Sequence, residues 1–362
     1  MDSSHIIVVQ HQILIIIFVL MITASYLFNN HKVKYYFEQS IKGVDSFSKA
    51  ELTVFITDNN VYEYYKHFFE GRKVIVLKAG EATKSLATVD YIIAELTTMQ
   101  VNKDYLLVGM GGGVVTDITG FVASIYMRGI SFAFMPTSLL AMVDAAIGGK
   151  NGVSYGNYKN IIGTTQQPKW IIFDRTLLYT LPQQEWVNAF AEIIKYGVIL
   201  NEKLFRLLQQ HTLQEFQDKH YLTAKLLYIC THIKSLLVQD DVYDVANRRL
   251  LNFGHTAGHA IEKLENCPHG FAIAKGMAIA LTISEEINNF YSEAKAEVLA
   301  LLAKFNLPTN LIAHKADVVQ LIQMDKKREN DTINYIVVNK IGEGKVLPIS
   351  LVQLQSLFEK SI

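Results

Sequence analysis

The sequence predicts an α/β protein, with an N-terminal Rossmann-like parallel-sheet domain followed by a mostly α-helical C-terminal domain. Three observations predict it. Short apolar runs alternate with helix-period stretches through the first half, as parallel strands covered on both faces require. One of those runs leads straight into a glycine cluster, GMGGGVVTD at 109–117. Beyond Pro182 strand-like runs become rare, and helical spacing dominates to about Gln323.

In chain order, residues 52–57 (LTVFIT) and 73–77 (KVIVL) read as buried strands. Over 85–99, Leu86, Val89, Ile92, Ile93 and Leu96 recur at helical spacing. Residues 105–110 (YLLVGM) form another strand, and 130–135 a further one that stops at Pro136. The second half fits helices over 185–199, 222–238, 256–264 and 275–291, then a hairpin from 334–338 and 346–349. The domains expected are therefore an apolar extension over 1–30, an α/β domain over 31–182 and a helical domain over 183–362.

Composition bounds the partners. Of the 362 residues, 50% are hydrophobic and 19% charged, which is a globular balance. Lys plus Arg equals Asp plus Glu at 34 each, so no net charge argues for nucleic acid. Cys230 and Cys267 are the only cysteines, which excludes a disulfide framework and points to a reducing compartment.

Residues 13–28 (ILIIIFVLMITASYLF) are almost continuously apolar. With residues 6–9 they approach the roughly 20 residues of a membrane span, though Gln10, His11 and Gln12 interrupt. Three readings fit: a start site upstream of the native one, with Met21 as an alternative, a membrane anchor over 6–28, or a cleaved signal. The last lacks a basic leader and a small-residue cleavage site. Lys32 and Lys34 would keep the main body cytoplasmic if the stretch spanned a membrane.

Several segments carry chemistry. The glycine cluster lets backbone N–H groups approach a phosphate at a helix N-terminus, although it is not the G-x-G-x-x-G fingerprint and a tight turn has the same composition. Asp117 suits a ribose contact or a helix cap. The block PTSLLAMVDAAIGGK at 136–150, then Lys159 and Asn160, sets lysines among glycines and hydroxyls, as anion binding needs. Glu192 and Lys195 share a helix face, where a surface ion pair is the ordinary reading. His255 and His259 stand four apart on one helix, with His269 after Pro268. A catalytic zinc takes three such ligands, and spacing leaves open which three of Glu192, His255, His259 and His269 serve.

Together these stretches resemble the 3-dehydroquinate synthase family of sugar phosphate cyclases over roughly residues 33–350. The motifs are the glycine cluster with Asp117, Arg128-Gly129, the 136–150 block, Lys159-Asn160, AEIIK at 191–195 and LNFGHTAGHAIE at 251–262. The resemblance implies an active site between the two domains. It assigns metal ligation to Glu192, His255 and His269 and leaves His259 for substrate. NAD contacts are implied at Asp58, Glu81 and Lys84, at Gly112, Gly113 and Asp117, and at Thr137 and Ser138, with Lys150 and Lys159 nearby. Substrate contacts are implied at Arg128, Asp144, Lys150 and Asn160, and at Lys195, Lys234, Arg248, Asn252, His259 and Lys326.

The implied activity is that of a lyase of the shikimate route to aromatic amino acids. 3-Deoxy-arabino-heptulosonate 7-phosphate would become 3-dehydroquinate and phosphate through transient oxidation by NAD, phosphate elimination, re-reduction and an intramolecular aldol closure. Zinc is the metal expected, and cobalt suits the same donors. A homodimer in the cytoplasm is expected, acting on a small anionic substrate without nucleic acid. The alternatives are an inosose- or valiolone-forming cyclase, a metal-dependent polyol dehydrogenase, or a non-catalytic membrane-tethered relative. The chain departs from the family pattern at Val242, Asp244, Ala246, Phe271 and Lys275.

Overall fold

The computed structural model describes residues 23–156, 158–288, 290–324 and 332–360. The chain divides into two compact units at Leu181/Pro182.

The first unit is built on seven strands: β1 (Thr23–Phe28), β2 (His31–Phe37), β3 (Thr53–Asp58), β4 (Lys73–Leu77), β5 (Leu106–Gly111), β6 (Ser131–Pro136) and β9 (Trp170–Phe173). Their order is β1-β2-β9-β6-β5-β3-β4, parallel throughout except for β1 against β2. The chain steps from β3 outward to β4 and then returns to the other side of β3 with β5. That reversal opens a crevice at the carboxyl ends of β3 and β5, where open α/β sheets bind ligands. Helix α1 (Leu86–Thr98) is capped by Ser85, whose Oγ accepts from Thr88 N. Helix α2 (Gly113–Ile125) follows β5 without any intervening loop beyond Gly112. A separate hairpin, β7 (Lys150–Tyr155) with β8 (Tyr158–Thr165), packs along α2.

Two features of this unit depart from the sequence reading. The hairpin segment reads in sequence as an anion-binding stretch, with no strand expected there. The apolar extension expected over 1–30 contributes Thr23–Phe28 to the sheet, in register with β2 from Thr23↔Tyr36 to Phe28↔His31. Tyr26 and Phe28 are buried there, and Tyr26 meets Tyr35 at 4.8 Å between ring centroids. Tyr35 in turn meets Phe173 at 5.4 Å. Burial alternates along this edge strand, with Thr23, Ser25 and Leu27 exposed and the aromatic surface of Tyr26 and Phe28 buried. The rest of the extension, residues 1–22, lies outside the described residues. Among those described, no helix is long and apolar enough to cross a membrane.

The second unit is helical, with α3 (Gln183–Ile199), α4 (Glu202–Gln210), α5 (His220–Asp240), α6 (His255–Glu265), α7 (His269–Asn288) and α8 (Ser292–Lys304) as its main helices. The late hairpin is β10 (Thr332–Lys340) with β11 (Glu343–Ser350). Helix α7 is the centre: it packs on α6, α3 and β10. It starts six residues before the expected 275, because His269 and Gly270 already belong to it. Ser284 on α7 pins the hairpin by accepting from Val338 N at 3.0 Å.

Candidate functional site

Close helix approach assembles the acidic and imidazole groups of the second unit. Gly270 N–H donates to the Asn188 side-chain oxygen, tying the first turn of α7 to α3 one turn from Glu192. A side chain at Gly276 would overlap the carbonyl of Gly254, so α7 lies directly on the start of α6. These contacts bring Glu192 (α3), His255 (first residue of α6) and His269 (first residue of α7) together, with one ligand atom from each all within 4.8 Å of one another. His255 Nε2 stands 3.3 Å and His269 Nε2 3.5 Å from Glu192 Oε1.

The far side of each imidazole is occupied. His255 Nδ1 lies 3.1 Å from the Phe253 carbonyl, and His269 Nδ1 lies 3.4 Å from Glu262 Oε2. Such partners orient a ring and leave Nε2 for a metal. Glu192 is 1% exposed, and neither of its oxygens accepts a well-aligned hydrogen bond, although Lys195 Nζ stands against Oε2. A buried carboxylate without aligned donors, facing two oriented imidazoles, fits a divalent cation of the zinc type. The ion-pair reading of Glu192 and Lys195 is corrected on one point. The two charges do pair, but both are buried rather than on the surface.

The electrostatics separate the three ligands. Burial disfavours ionised Glu192, yet the Lys195 ammonium and His255 outweigh it and hold the carboxyl well below the usual range. Burial lowers the His255 pKa, and Lys195 adds to that. Burial acts the same way on His269, but the Glu192 and Glu262 carboxylates on either side of the ring prevail and push it up to about 9.

His259 is four residues beyond His255 and exposed, with ring centroids 5.3 Å apart. It is not part of the Glu192–His255–His269 cluster. Lys195, Lys234 and Arg248 are all buried, and buried cations suit an anionic ligand. Arg248 is held by Val242 O at 2.7 Å, while Asp241 accepts from the backbone of Val245, Ala246 and Arg248. Asn252 ends the adjoining 3-10 turn, Asn247–Asn252. Lys326 lies outside the described residues. Lys275, a departure from the family pattern, is buried against Glu265, whose other oxygen accepts from Ile312 N and Ala313 N.

In the first unit the residues expected at NAD collect at the carboxyl edge of the sheet. Asp58 ends β3, Glu81 and Lys84 follow β4, Gly112 and Gly113 follow β5, and Thr137 and Ser138 follow β6. Gly112 occupies the N-cap of α2 and offers no side-chain cap, so the first N–H groups of α2 point outward without one. Asp117 is not the cap; it pairs with buried Lys84. Asp58 caps the short helix after it, its Oδ1 accepting from Asn60 N and Val61 N. Asp144 lies in a π-turn over Ala141–Ala145, and Lys150, Lys159 and Asn160 are exposed on the β7–β8 hairpin. Arg128 stands apart: it precedes β6, at the amino edge of the sheet, in a left-handed turn with Met127 (φ 63° and 50°).

Sequence reasoning missed Glu262, Asn188 and Asp241. A signal existed for Glu262, which lies three residues after His259 and seven after His255, on the same helix face.

One unit with an open α/β sheet and an uncapped helix N-terminus at its switch point, and another bearing a carboxylate and two oriented imidazoles, together define a metal-site enzyme of the dinucleotide-fold class. The family model described as 3-dehydroquinate synthase N-terminal matches residues 74–188, and the C-terminal one matches 189–328. The 3-dehydroquinate synthase of Pyrococcus abyssi is 41% identical over 271 residues, covering 74% of this chain and 79% of that protein. That of Alkaliphilus metalliredigens is 34% identical over 312 residues, covering 83% and 87%. This chain belongs to the 3-dehydroquinate synthase family. Among solved structures, 2-epi-5-epi-valiolone synthase from Streptomyces hygroscopicus, with NAD+ and Zn2+ bound, superposes at a TM-score of 0.83 with 22% identity, covering 91% of this chain and 96% of that one. A 2-deoxy-scyllo-inosose synthase holding carbaglucose-6-phosphate, NAD+ and Co2+ gives 0.81 at 21%, covering 94% and 100%. Both likenesses show the fold.

Proposed function

We propose that this protein is a 3-dehydroquinate synthase. It takes 3-deoxy-arabino-heptulosonate 7-phosphate to 3-dehydroquinate and phosphate as an NAD- and metal-dependent lyase. The observation that carries this is the Glu192–His255–His269 cluster, with its oriented imidazoles, in a chain of this family. When bound, NAD supplies a hydride acceptor that is regenerated, and a divalent metal supplies polarisation of a substrate oxygen.

The chain's own residues do the rest. Glu192, His255 and His269 hold the metal, and Phe253 O and Glu262 keep the two rings turned toward it. The N-terminus of α2, with Gly112, Gly113 and Thr137 beside it, receives the cofactor's pyrophosphate. Lys150, Lys195, Lys234, Arg248 and Lys326 bind phosphate and carboxylate, where Arg offers a bidentate grip. His259 is exposed and carries protons near neutral pH. Asp144, Asn160 and Asn252 orient hydroxyls. Arg128 is kept as a substrate residue on family grounds alone. The reading places the enzyme in the cytoplasm as a homodimer, which light scattering of the purified protein tests directly.

The decisive assay supplies the heptulosonate phosphate and NAD+ to zinc-loaded protein, then follows phosphate, dehydroquinate and NADH. Phosphate and dehydroquinate in equal amounts without NADH are expected. NADH accumulating one-for-one with product would mean a dehydrogenase. The fold likeness to inosose and valiolone synthases favours a second reading, another sugar phosphate cyclase; turnover of a hexose 6-phosphate (inosose type) or of a heptulose 7-phosphate lacking the carboxylate (valiolone type) in place of the heptulosonate would select it.

A further inference from the structure

We propose that Asn151 is a positioning residue that sets where Lys150 presents its ammonium group. The inference rests on the reading of Lys150 as an anion-binding residue of the active site. Asn151 is 6% exposed, and its Nδ2 donates twice, to Gly149 O at 2.8 Å and to Gln166 O at 2.9 Å. Gln166 N donates back to Gly149 O at 2.8 Å. One amide thus bridges the two ends of the β7–β8 hairpin at the pair Lys150↔Thr165. Successive side chains in a strand point to opposite faces, so burying Asn151 turns its neighbour outward. Lys150 is exposed accordingly.

The other side of Asn151 is set by α2. A side chain at Gly120 would overlap the Asn151 amide, so the hairpin sits against α2 only because that position is glycine. The loop ahead of Lys150 is constrained as well. Gly148 and Gly149 hold φ of 101° and 70°, and a Cβ on Gly149 would stand 2.5 Å from Gln167 Nε2 and 3.0 Å from Gln166 O. Glycine adopts such left-handed backbone without steric cost, so contacts must fix the path of the loop. The two donations of Asn151 and the Gly120 seat supply them. A lysine has a long, flexible stem, so the site must place its Cα if the charge is to meet an anion at a fixed point.

The test is a double-mutant cycle read in kcat/KM for the heptulosonate phosphate, with zinc content and Tm measured alongside. Asn151→Asp keeps the shape but turns an oxygen toward two carbonyls. Gly120→Ala displaces Asn151 from behind without changing it. Lys150→Met removes the charge being positioned. Asn151→Asp and Gly120→Ala are each expected to lower kcat/KM about tenfold with zinc content unchanged, since misplacement of about an ångström costs up to a hundredfold. In the Lys150→Met background neither should lower it further. Should Asn151→Asp fail to fold, Asn151→Ala removes the donor without the repulsion. Normal kcat/KM in Lys150→Met overturns the reading of Lys150 itself. An impaired Lys150→Met, with Asn151→Asp either harmless or fully additive to it, overturns the positioning role alone.

Discussion

In the first unit the candidate groups stand on loops that follow parallel strands; in the second they stand on helices that press together. Arg128 and the β7–β8 hairpin groups aside, the loop groups are neighbours in sequence to a strand end and arrive at the sheet's carboxyl edge by topology. The helix groups are far apart in sequence and meet only because Gly276 lies on Gly254 O and Gly270 is bonded to Asn188. The cradle is therefore backbone-made and tolerant of side-chain change around it. The metal corner is side-chain-made, with a buried carboxylate at its heart and a second set of partners behind each ring. A change in the corner should act through the metal, and a change in the cradle through the cofactor.

The largest effect expected is on the corner. Glu192→Ala or His255→Ala removes one of three ligands, and turnover should fall by about three orders of magnitude or more with zinc lost. NAD+ binding and Tm of the first unit should stay unchanged. Full turnover by a zinc-free His255→Ala protein would break the comparison.

Next in size is a packing change in the first unit. Deleting residues 1–22 leaves β1 in place, whereas deleting 1–30 removes it along with buried Tyr26 and Phe28. The longer deletion should cost about 3–5 kcal/mol, the range for losing a buried aromatic. Urea titration of the two proteins checks this, and equal midpoints would show that β1 contributes nothing.

Smaller still is loss of the partner behind His269. Glu262→Gln should weaken zinc affinity about 10–100-fold. Competition with a chromophoric chelator measures it, and an unchanged affinity would mean that Glu262 does not orient the ring. Gly112→Ala is the counterpart in the cradle. Its Cβ meets nothing nearer than Ser138 Oγ at 3.4 Å, so the fold is kept while the pyrophosphate seat is crowded. NAD+ affinity should drop about tenfold with zinc retained.

The corner also carries a pH dependence. The His269 pKa is raised from 6.5 to about 9 in the metal-free protein. A raised pKa contributes stability that is present below pH 6.5 and lost as pH rises through about 9. Zinc must displace that proton, so zinc affinity should rise across the same window while the Tm of metal-free protein falls. Parallel trends would contradict the assignment.

Much of this was legible in the sequence because it depends on local pattern. The strand–glycine–helix passage at 105–117 and the domain change at Pro182 follow from periodicity and glycine placement, which need no partner to be read. Imidazoles and carboxylates mark candidate ligands by chemistry alone. The β7–β8 hairpin and β1 were not legible, since the hairpin segment is polar and glycine-rich and the short alternation of β1 is masked by the apolar run that leads into it. Which imidazoles meet Glu192 was likewise not decided by spacing: His259 shares the helix face of His255, yet His269, from another helix, completes the cluster. Periodicity reports the face of a single helix, but ligation depends on distances among several. Those distances were decided only by tertiary packing, where two glycines and one asparagine let three helices come close enough for their side chains to converge.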